Sequence, residues 1–194
     1  MPLKTEHEIE ALAPLFEYLE SLTGRATIED LDRVMRAVDV TVDDVAEHIR
    51  YCDEHYKRNL IREGRWYQAY ALCWKSGQRS PIHDHTSTTC GVRVLLGSGV
   101  ETIYEPSPCG QMMAVRSRPL HVGDICASQD SDTHQISNLQ PAGQNLVTLH
   151  IYSPPLREFH TYSATDGTVN RVRDVGNGCY EVIATMDIAD FLRR

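Results

Sequence analysis

The stretch Ile82-His-Asp-His-Thr-Ser-Thr-Thr-Cys-Gly-Val-Arg-Val-Leu-Leu96 is the part of the chain that decides the fold. It is apolar at many positions and bounded by turn residues, which predicts an extended strand. Alternate side chains of a strand leave the same face, so His83 and His85 point to one side and Asp84 to the other. Two imidazoles on one face can bind one metal ion. The pair alone is equally typical of two solvent-facing histidines on an edge strand, so the surrounding residues must distinguish this interpretation from a metal site.

Glycines and a second histidine segment surround that stretch at motif-like spacing. Gly77 and Gly97 flank the two histidines, and Gly123 followed by His134-Gln-Ile-Ser-Asn138 forms a second block. Together they resemble the two sequence motifs of the cupin superfamily. Cys90 stands where the first motif has its glutamate, so the resemblance implies a metal site of three histidines, the third being His134, without a carboxylate ligand.

Composition limits the classes of protein to consider. A length of 194 residues fits a single cupin domain spanning residues 1–194. The excess of 27 acidic over 19 basic residues gives a formal net charge of −8, which argues against a nucleic-acid-binding surface. No apolar leader or membrane-length run is present, and the six scattered cysteines are typical of reduced thiols. We therefore expect a cytoplasmic protein that binds neither nucleic acid nor membranes.

Residues 5 to 50 have helical patterns. Three residue pairs have the spacing of a helix N-terminal cap: Thr5 with Glu8, Thr27 with Asp30, and Thr41 with Asp44. Each pair precedes a stripe of apolar residues at helical spacing. We predict three helices whose apolar faces are packing surfaces.

From about residue 56 to about residue 185 the pattern is that of strands. The clearest runs are Arg65–Trp74, Ile82–Leu96, Val100–Tyr104, Met112–Val115 and Leu146–Tyr152. Many short strands in one domain are typical of a barrel or a jelly roll. We predict a mainly β fold, a cupin jelly-roll barrel behind an N-terminal helical segment, with a short helix over Met186–Arg194.

Five segments between residues 56 and 167 resemble one cupin branch, the cysteine dioxygenases, in order and in separation. They are Tyr56-Lys-Arg-Asn-Leu60, Leu72-Cys-Trp74, Ser80-Pro-Ile-His-Asp-His-Thr86, Thr133-His134 and Leu149-His-Ile-Tyr-Ser-Pro-Pro155. The last segment is the most specific. The resemblance implies an enzyme, a non-haem iron dioxygenase that acts on a small thiol.

The number of ligands does not select the metal, because three imidazoles also suit zinc, which is redox-inert. The family resemblance implies Fe(II), bound by His83, His85 and His134. Three ligands leave about three positions of an octahedron for a substrate thiolate, its amine and dioxygen. The implied product is a sulfinic acid.

Arg58 is the expected clamp for the substrate carboxylate, because a guanidinium binds a carboxylate through two parallel charge-assisted hydrogen bonds. Without its neighbours, an arginine at this place is more typical of the exposed side of a strand. The segment that it shares with Tyr56 resembles the family's substrate-binding segment, which favours the clamp.

Thr148, His150 and Tyr152 alternate along one predicted strand and therefore share a face. The alternation alone is more typical of a solvent-facing side above an apolar core. The family resemblance implies the opposite: a stripe that points into the barrel, where hydroxyl, imidazole and phenol form a relay beside the iron. Serine is usual at the place of Thr148, which keeps the hydroxyl and adds a methyl group.

Cys90 lies five residues after His85, where animal cysteine dioxygenases have a cysteine linked covalently to the relay tyrosine. The resemblance therefore suggests a Cys90–Tyr152 thioether. Many bacterial relatives have glycine there, and Gly91 follows directly, so a shift of one residue would leave Cys90 as a plain buried thiol. Both interpretations stay open. The segment Ser153-Pro-Pro155 resembles the family's turn, in which the Ser–Pro bond is cis.

The sequence is compatible with three functions. The first is an Fe(II)-dependent dioxygenase that converts L-cysteine to cysteine sulfinic acid, acting as a monomer on the thiol and O2. The second is a 3-mercaptopropionate dioxygenase, a branch that carries glutamine at the clamp position, so Arg58 favours cysteine. The third is a non-catalytic or zinc-bound cupin that binds a small molecule.

Overall fold

The computed structural model describes residues 9–107, 110–130, 132–176 and 179–193. Its helices are α1 Ala13–Ser21, α2 Ile28–Ala37 and α3 Ile188–Phe191, with 3₁₀ helices at Glu10–Leu12 and Asp43–His48. Its strands are β1 Lys57–Gly64, β2 Tyr67–Trp74, β3 Ile82–His83, β4 Thr89–Leu96, β5 Ser98–Pro106, β6 Met112–His121, β7 Ile125–Gln129, β8 His134–Ser137, β9 Leu146–Ser153, β10 Glu158–Tyr162, β11 Thr168–Gly176 and β12 Cys179–Asp187.

The strands form two antiparallel sheets. One has the order β1-β2-β9-β4-β7, and the other has the order β12-β11-β10-β3-β8-β5-β6. One apolar cluster contains residues of both sheets, for example Leu72 and Val92 from the first with Ile136 and Phe159 from the second. The inner faces of the two sheets therefore share a core, and the predicted cupin jelly roll is confirmed.

The N-terminal helices cover the outer face of the five-stranded sheet. Their apolar stripes, including Leu15, Leu31 and Met35, share a second cluster with Leu149 and other residues of β9 and β2. Every residue of β9 is buried as a result, because one face lies under the helices and the other faces the barrel interior. A strand covered on both sides can carry polar groups inward without exposing them.

The helix starts agree in part with the predicted ones. Thr27 caps α2 by accepting a hydrogen bond from the backbone N of Asp30 at 3.1 Å. Thr41 donates its backbone N–H to Asp44, but a 3₁₀ helix follows instead of an α-helix, with a non-helical conformation at Val45. The pair Thr5 and Glu8 lies outside the described residues. The C-terminal helix starts at Ile188, because the preceding residues extend β12.

The predicted single strand over residues 82–96 is wrong in one respect. The structure divides it into β3 and β4, which belong to different sheets. The chain turns between them, where the N of Thr88 donates to the O of His85 at 2.9 Å and Ser87 has a φ of 59°. The hydroxyl-rich residues 86–88 therefore lie where the chain crosses from one sheet to the other.

Candidate active site

Three histidines converge at one end of the barrel interior. His83 in β3 lies directly opposite His134 in β8, and His85 follows in the turn after β3. The three ring centroids are 4.9 to 5.1 Å apart, and one ligand atom from each ring lies within 4.8 Å of the others. The structure thus brings together the three side chains that were expected to bind a metal.

The outer nitrogen of each ring is held by a different group. His83 Nδ1 donates to the Pro81 carbonyl at 3.0 Å, and His134 Nδ1 donates to Glu101 Oε1 at 3.0 Å. His85 Nδ1 shares a hydrogen bond of 3.2 Å with the Ser128 hydroxyl. Such partners on Nδ1 fix the ring and leave the Nε2 lone pair for a metal. His85 Nε2 is buried without a hydrogen-bond partner among the described residues, which fits a ligand atom.

Electrostatics keep the cluster in the form that binds metal. Burial and the neighbouring His134 lower the pKa of His83 to about 3, and the same causes lower the pKa of His85 well below its ordinary value. Burial raises the pKa of Glu101, but the hydrogen bonds and charges of His134 and Arg118 lower it further, to about 2. Neutral imidazoles are the donors that a divalent cation requires, and the low pKa values of His83 and His85 keep these two rings neutral.

Glu101 and Ser128 are site residues that the sequence analysis did not identify. Glu101 lies 33 residues before His134, on β5, and reaches it only because β5 pairs with β8. No spacing rule in the sequence connects two such positions. The glutamate missing from the first motif is thus not replaced as a ligand, but a carboxylate supports one of the three histidines from outside.

Asp84 points away from the three clustered histidines and fixes the turn that carries His85. Its carboxylate is buried and accepts hydrogen bonds from the His160 backbone N at 2.9 Å, from His160 Nδ1 at 2.9 Å and from the Tyr162 hydroxyl at 2.8 Å. Thr86 also donates to it at 2.9 Å. His160 therefore has a specific partner, although the sequence gave no partner spacing for it.

The polar stripe of β9 points into the barrel. Thr148 Oγ1 and His150 Nε2 lie 2.9 Å apart, and His150 Nδ1 and the Tyr152 hydroxyl lie 3.2 Å apart. Trp74 Nε1 donates to Thr148 Oγ1 at 3.0 Å, so the indole anchors the far end. Burial is the largest cause that lowers the pKa of His150 and raises that of Tyr152. Both groups are therefore neutral near pH 7, and the solvent-facing interpretation is wrong.

Arg58 on β1 is buried, with 4% of its surface exposed, beside the tyrosine end of this chain. Its guanidinium carbon lies 4.7 Å from the Tyr70 ring centre and 5.4 Å from that of Tyr152. Nη1 forms an ion pair with Asp174 Oδ2 at 3.1 Å, whereas Nε and Nη2 are buried without a hydrogen-bond partner among the described residues. A buried N–H without an acceptor is costly, so this edge of the guanidinium is suited to a ligand anion.

Tyr56 is buried near Arg58 and does not lie on the surface. Its ring stacks on Trp74 with centroids 4.2 Å apart, and its hydroxyl contacts that of Tyr180 on β12. Tyr180 in turn meets the edge of Phe159, whose ring lies 5.9 Å from His83. An aromatic wall therefore connects Arg58 to the histidine cluster.

Cys90, and not Gly91, occupies the position next to Tyr152. Cys90 on β4 is the register partner of Tyr152 on β9, so both side chains face the interior. Gly91 faces helix α2 instead, where a Cβ atom would lie 2.5 Å from the Met35 sulfur. Cys90 is a free thiol here, and burial raises its pKa. The peptide bond between Ser153 and Pro154 is cis, as the resemblance implied.

A jelly roll with three convergent imidazoles on its inner face defines the chain as a cupin with a metal-binding type of site. The family model described as cysteine dioxygenase type I matches residues 4–165, and the chain belongs to this family. It is a cysteine dioxygenase-like enzyme of the thiol dioxygenase class.

Two relatives and one solved structure illustrate the similarity. The chain is 28% identical to human cysteine dioxygenase type 1 over 167 residues, 83% of each chain. It is 26% identical to the zebrafish (Danio rerio) protein over 182 residues, 89% of this chain and 85% of the relative. A Klebsiella pneumoniae protein with a double-stranded β-helix domain aligns with a TM-score of 0.46 and 19% identity over 57% of this chain and 86% of that one. Among the described residues, no helix is long and apolar enough to cross a membrane.

Proposed function

We propose that this enzyme is an Fe(II)-dependent dioxygenase that oxidises L-cysteine with O2 to cysteine sulfinic acid. The observation that carries the proposal is the free edge of the Arg58 guanidinium, buried beside Tyr152 and facing no acceptor among the described residues. A three-histidine site accounts for metal binding, whereas a buried guanidinium with a free edge accounts for a substrate that carries a carboxylate.

The donor set fits the metal that the family implies. Three imidazoles with Nδ1 already occupied present three Nε2 atoms to one point. Bound Fe(II) would supply the binding of the thiolate and the activation of dioxygen. Zinc fits the same three nitrogen atoms, so the proposal of iron rests on the family and not on the geometry.

Arg58 is the proposed binding group for the substrate carboxylate. Nε and Nη2 lie on one edge of a planar group and match the two oxygens of a carboxylate. Burial lowers the pKa of the guanidinium, but nearby tyrosine oxygens and Asp174 raise it further, so the clamp stays charged. Holding the carboxylate there places the thiol end of a short substrate toward the histidine cluster, which lowers the entropic barrier to reaction.

Tyr152 is the proposed hydrogen-bond donor to the bound substrate. Trp74 donates to Thr148 Oγ1. With the His150 ring proton on Nδ1, the Thr148 hydroxyl would donate to His150 Nε2. His150 Nδ1–H then donates to the Tyr152 oxygen, which leaves the phenolic O–H free to point into the site. Each group donates in one direction, so the chain fixes the orientation of the phenol.

We also propose that a thioether joins Cys90 to Tyr152. The Cys90 S–H bond and one ring C–H bond of Tyr152 would break, a C–S bond would form, and O2 would accept the two electrons and two protons. Their facing register positions and common burial support it. Peptide mapping of iron-exposed, aerobically turned-over protein is expected to yield a cross-linked peptide containing both residues. Recovery of only the two unmodified peptides would reject the link without affecting the proposed substrate.

The direct test is oxygen uptake by protein loaded anaerobically with Fe(II), with L-cysteine and 3-mercaptopropionate compared side by side. We expect faster uptake per unit of thiol with L-cysteine and no uptake by the zinc-loaded protein. A clear preference for 3-mercaptopropionate would assign the enzyme to the other thiol branch. Iron-loaded protein that consumes no oxygen with either thiol would favour a binding module.

A further inference from the structure

Asp174 on β11 forms a buried ion pair with the proposed substrate clamp. Its Oδ2 atom lies 3.1 Å from Arg58 Nη1, and the two side chains are 8% and 3% exposed. The partners belong to different sheets, since β1 is at one end of the five-stranded sheet and β11 lies in the seven-stranded one. The pair therefore connects the two walls of the barrel at the clamp.

The backbone fixes Asp174 independently of the arginine. Its second oxygen, Oδ1, accepts a hydrogen bond from the Gly176 backbone N at 2.8 Å. Its own backbone N donates to the Arg157 carbonyl at 2.9 Å. Gly176 has a φ of 86°, a conformation that favours glycine, and a register shift occurs between residues 174 and 176. The carboxylate is thus oriented before any substrate arrives.

The ion pair uses only one nitrogen of the guanidinium. Nη1 is occupied by Asp174, and the edge formed by Nε and Nη2 has no acceptor among the described residues. The rings of Tyr70 and Tyr152 lie close to the guanidinium and restrict its tilt. A planar group that is held at one nitrogen and contacts two rings has few orientations open to it, and its remaining edge keeps free N–H groups for an anion.

We propose that Asp174 is a positioning residue that orients Arg58 so that the Nε and Nη2 edge receives the substrate carboxylate. The inference rests on the proposed function and deepens it, since it explains why the enzyme selects thiols that carry a carboxylate. Stability alone does not account for the pair, because buried ion pairs are often no more stabilising than apolar residues of similar size. Asp174 does not compete with the substrate carboxylate for Arg58, since it leaves the edge formed by Nε and Nη2 free.

The test compares Asp174→Asn and Asp174→Ala with the wild type, all loaded with Fe(II), using L-cysteine and cysteamine. Cysteamine has the thiol and the amine but no carboxylate. Alanine removes the acceptor, so we expect the dissociation constant and KM for L-cysteine to rise about tenfold, with kcat within about twofold. Asparagine keeps an acceptor oxygen, so its effect should be smaller. Cysteamine binding should change by less than about twofold in both variants.

Anaerobic titration of each thiol gives a readout that does not depend on turnover. Glu181→Gln is the matched control, because Glu181 is an exposed carboxylate on the neighbouring strand, 3.9 Å from Arg173. If the alanine variant does not fold, the asparagine variant still tests the charge. Unchanged or tighter L-cysteine binding would overturn the inference, as would equal losses for both thiols. The proposed function would be refuted, and the role of Asp174 kept, if L-cysteine binding weakened in the Asp174 variants as expected but the wild-type protein did not oxidise L-cysteine.

Discussion

The histidines of the site owe their orientation to residues that never touch the metal position. Glu101 is the most consequential of these, because it is an ionised carboxylate that accepts the Nδ1–H of His134. Such an acceptor raises the basicity of the ligand nitrogen and holds the ring in place. The character of the site therefore depends on a strand pairing as much as on the ligands.

Replacing Glu101 with glutamine should weaken metal binding by about tenfold, since the outer carboxylate is lost while the shape is retained. Competition with a chelator of known affinity measures this for Fe(II) or Zn²⁺. Glu105→Gln on the same strand, at an exposed position, is the control and should bind metal as the wild type does. Equal affinities for wild type and Glu101→Gln would show that the carboxylate does not support His134.

Thr148→Val should lower kcat for L-cysteine by about tenfold with less than about a twofold change in KM, because His150 loses a partner of its neutral ring while Arg58 is untouched. The Trp74 N–H also loses its acceptor, so the free energy of unfolding should fall by about 1–3 kcal/mol. Steady-state kinetics and denaturant titration measure the two effects. Thr148→Ser keeps the hydroxyl and should resemble the wild type; a serine variant as impaired as the valine one would contradict the relay.

Much of this site could be predicted from the sequence, and the residues that the sequence analysis missed share a physical cause. The histidines, Arg58 and the β9 stripe could be identified because they lie in short segments that resemble a family. Glu101 and Asp174 could not, because each meets its partner through pairing or packing between distant strands. Sequence spacing is informative within an element and much less so between elements.

At the scale of elements, helix α2 supports the wall that carries Cys90. Gly91 on β4 permits the approach of this helix, since a Cβ there would lie 2.5 Å from the Met35 sulfur and 3.0 Å from Leu31. The adjacent residue, Cys90, then faces Tyr152 on β9. The packing of α2 thus determines that Cys90, and not Gly91, points into the site.

Gly91→Ala should reduce the free energy of unfolding by about 1–3 kcal/mol, because the added methyl overpacks a closed interface. Denaturant titration measures the change. Gly24→Ala is the control, since nothing lies within 4 Å of a Cβ at that position. The double variant Gly91→Ala/Met35→Ala should lose less stability than the sum of the losses of the two single variants, because the smaller side chain makes room for the added methyl. Fully additive losses would contradict direct contact between the two sites.

The element-level predictions succeeded where one pattern covered one element. The helical stripes and the strand runs were located, and α2 begins at the predicted cap. The stretch 82–96 was mistaken for a single strand because β3 has only two residues and its periodicity continues into β4. A crossing between two sheets is a property of the tertiary fold and leaves little trace in the alternation of side chains.

At the scale of the whole molecule, the metal should stabilise the fold, because the three ligands come from β3, the following turn and β8. Binding to the folded state alone, at a free metal concentration of about 100 times Kd, adds about 2.7 kcal/mol. Zn²⁺ is the suitable probe because it is redox-inert. Thermal denaturation with and without Zn²⁺ should show a rise in Tm that His134→Ala abolishes; a rise that survives this substitution would place the metal elsewhere.

The overall architecture follows from the change of periodicity along the chain, with helices first and a β jelly roll after them. That the chain acts as a single domain and as a monomer stays a prediction. The formal charge of −8 and the composition bear on solubility and partners and do not determine the fold.

The central claim is that a three-histidine iron site adds both atoms of dioxygen to the sulfur of a clamped L-cysteine. Turnover of L-cysteine by the Fe(II)-loaded protein under ¹⁸O2, followed by mass spectrometry of the product, tests it most directly. The account predicts cysteine sulfinic acid with both sulfinate oxygens labelled, and no such product from the His134→Ala variant. Cystine as the main product, or a sulfinate that carries solvent oxygen, would contradict it.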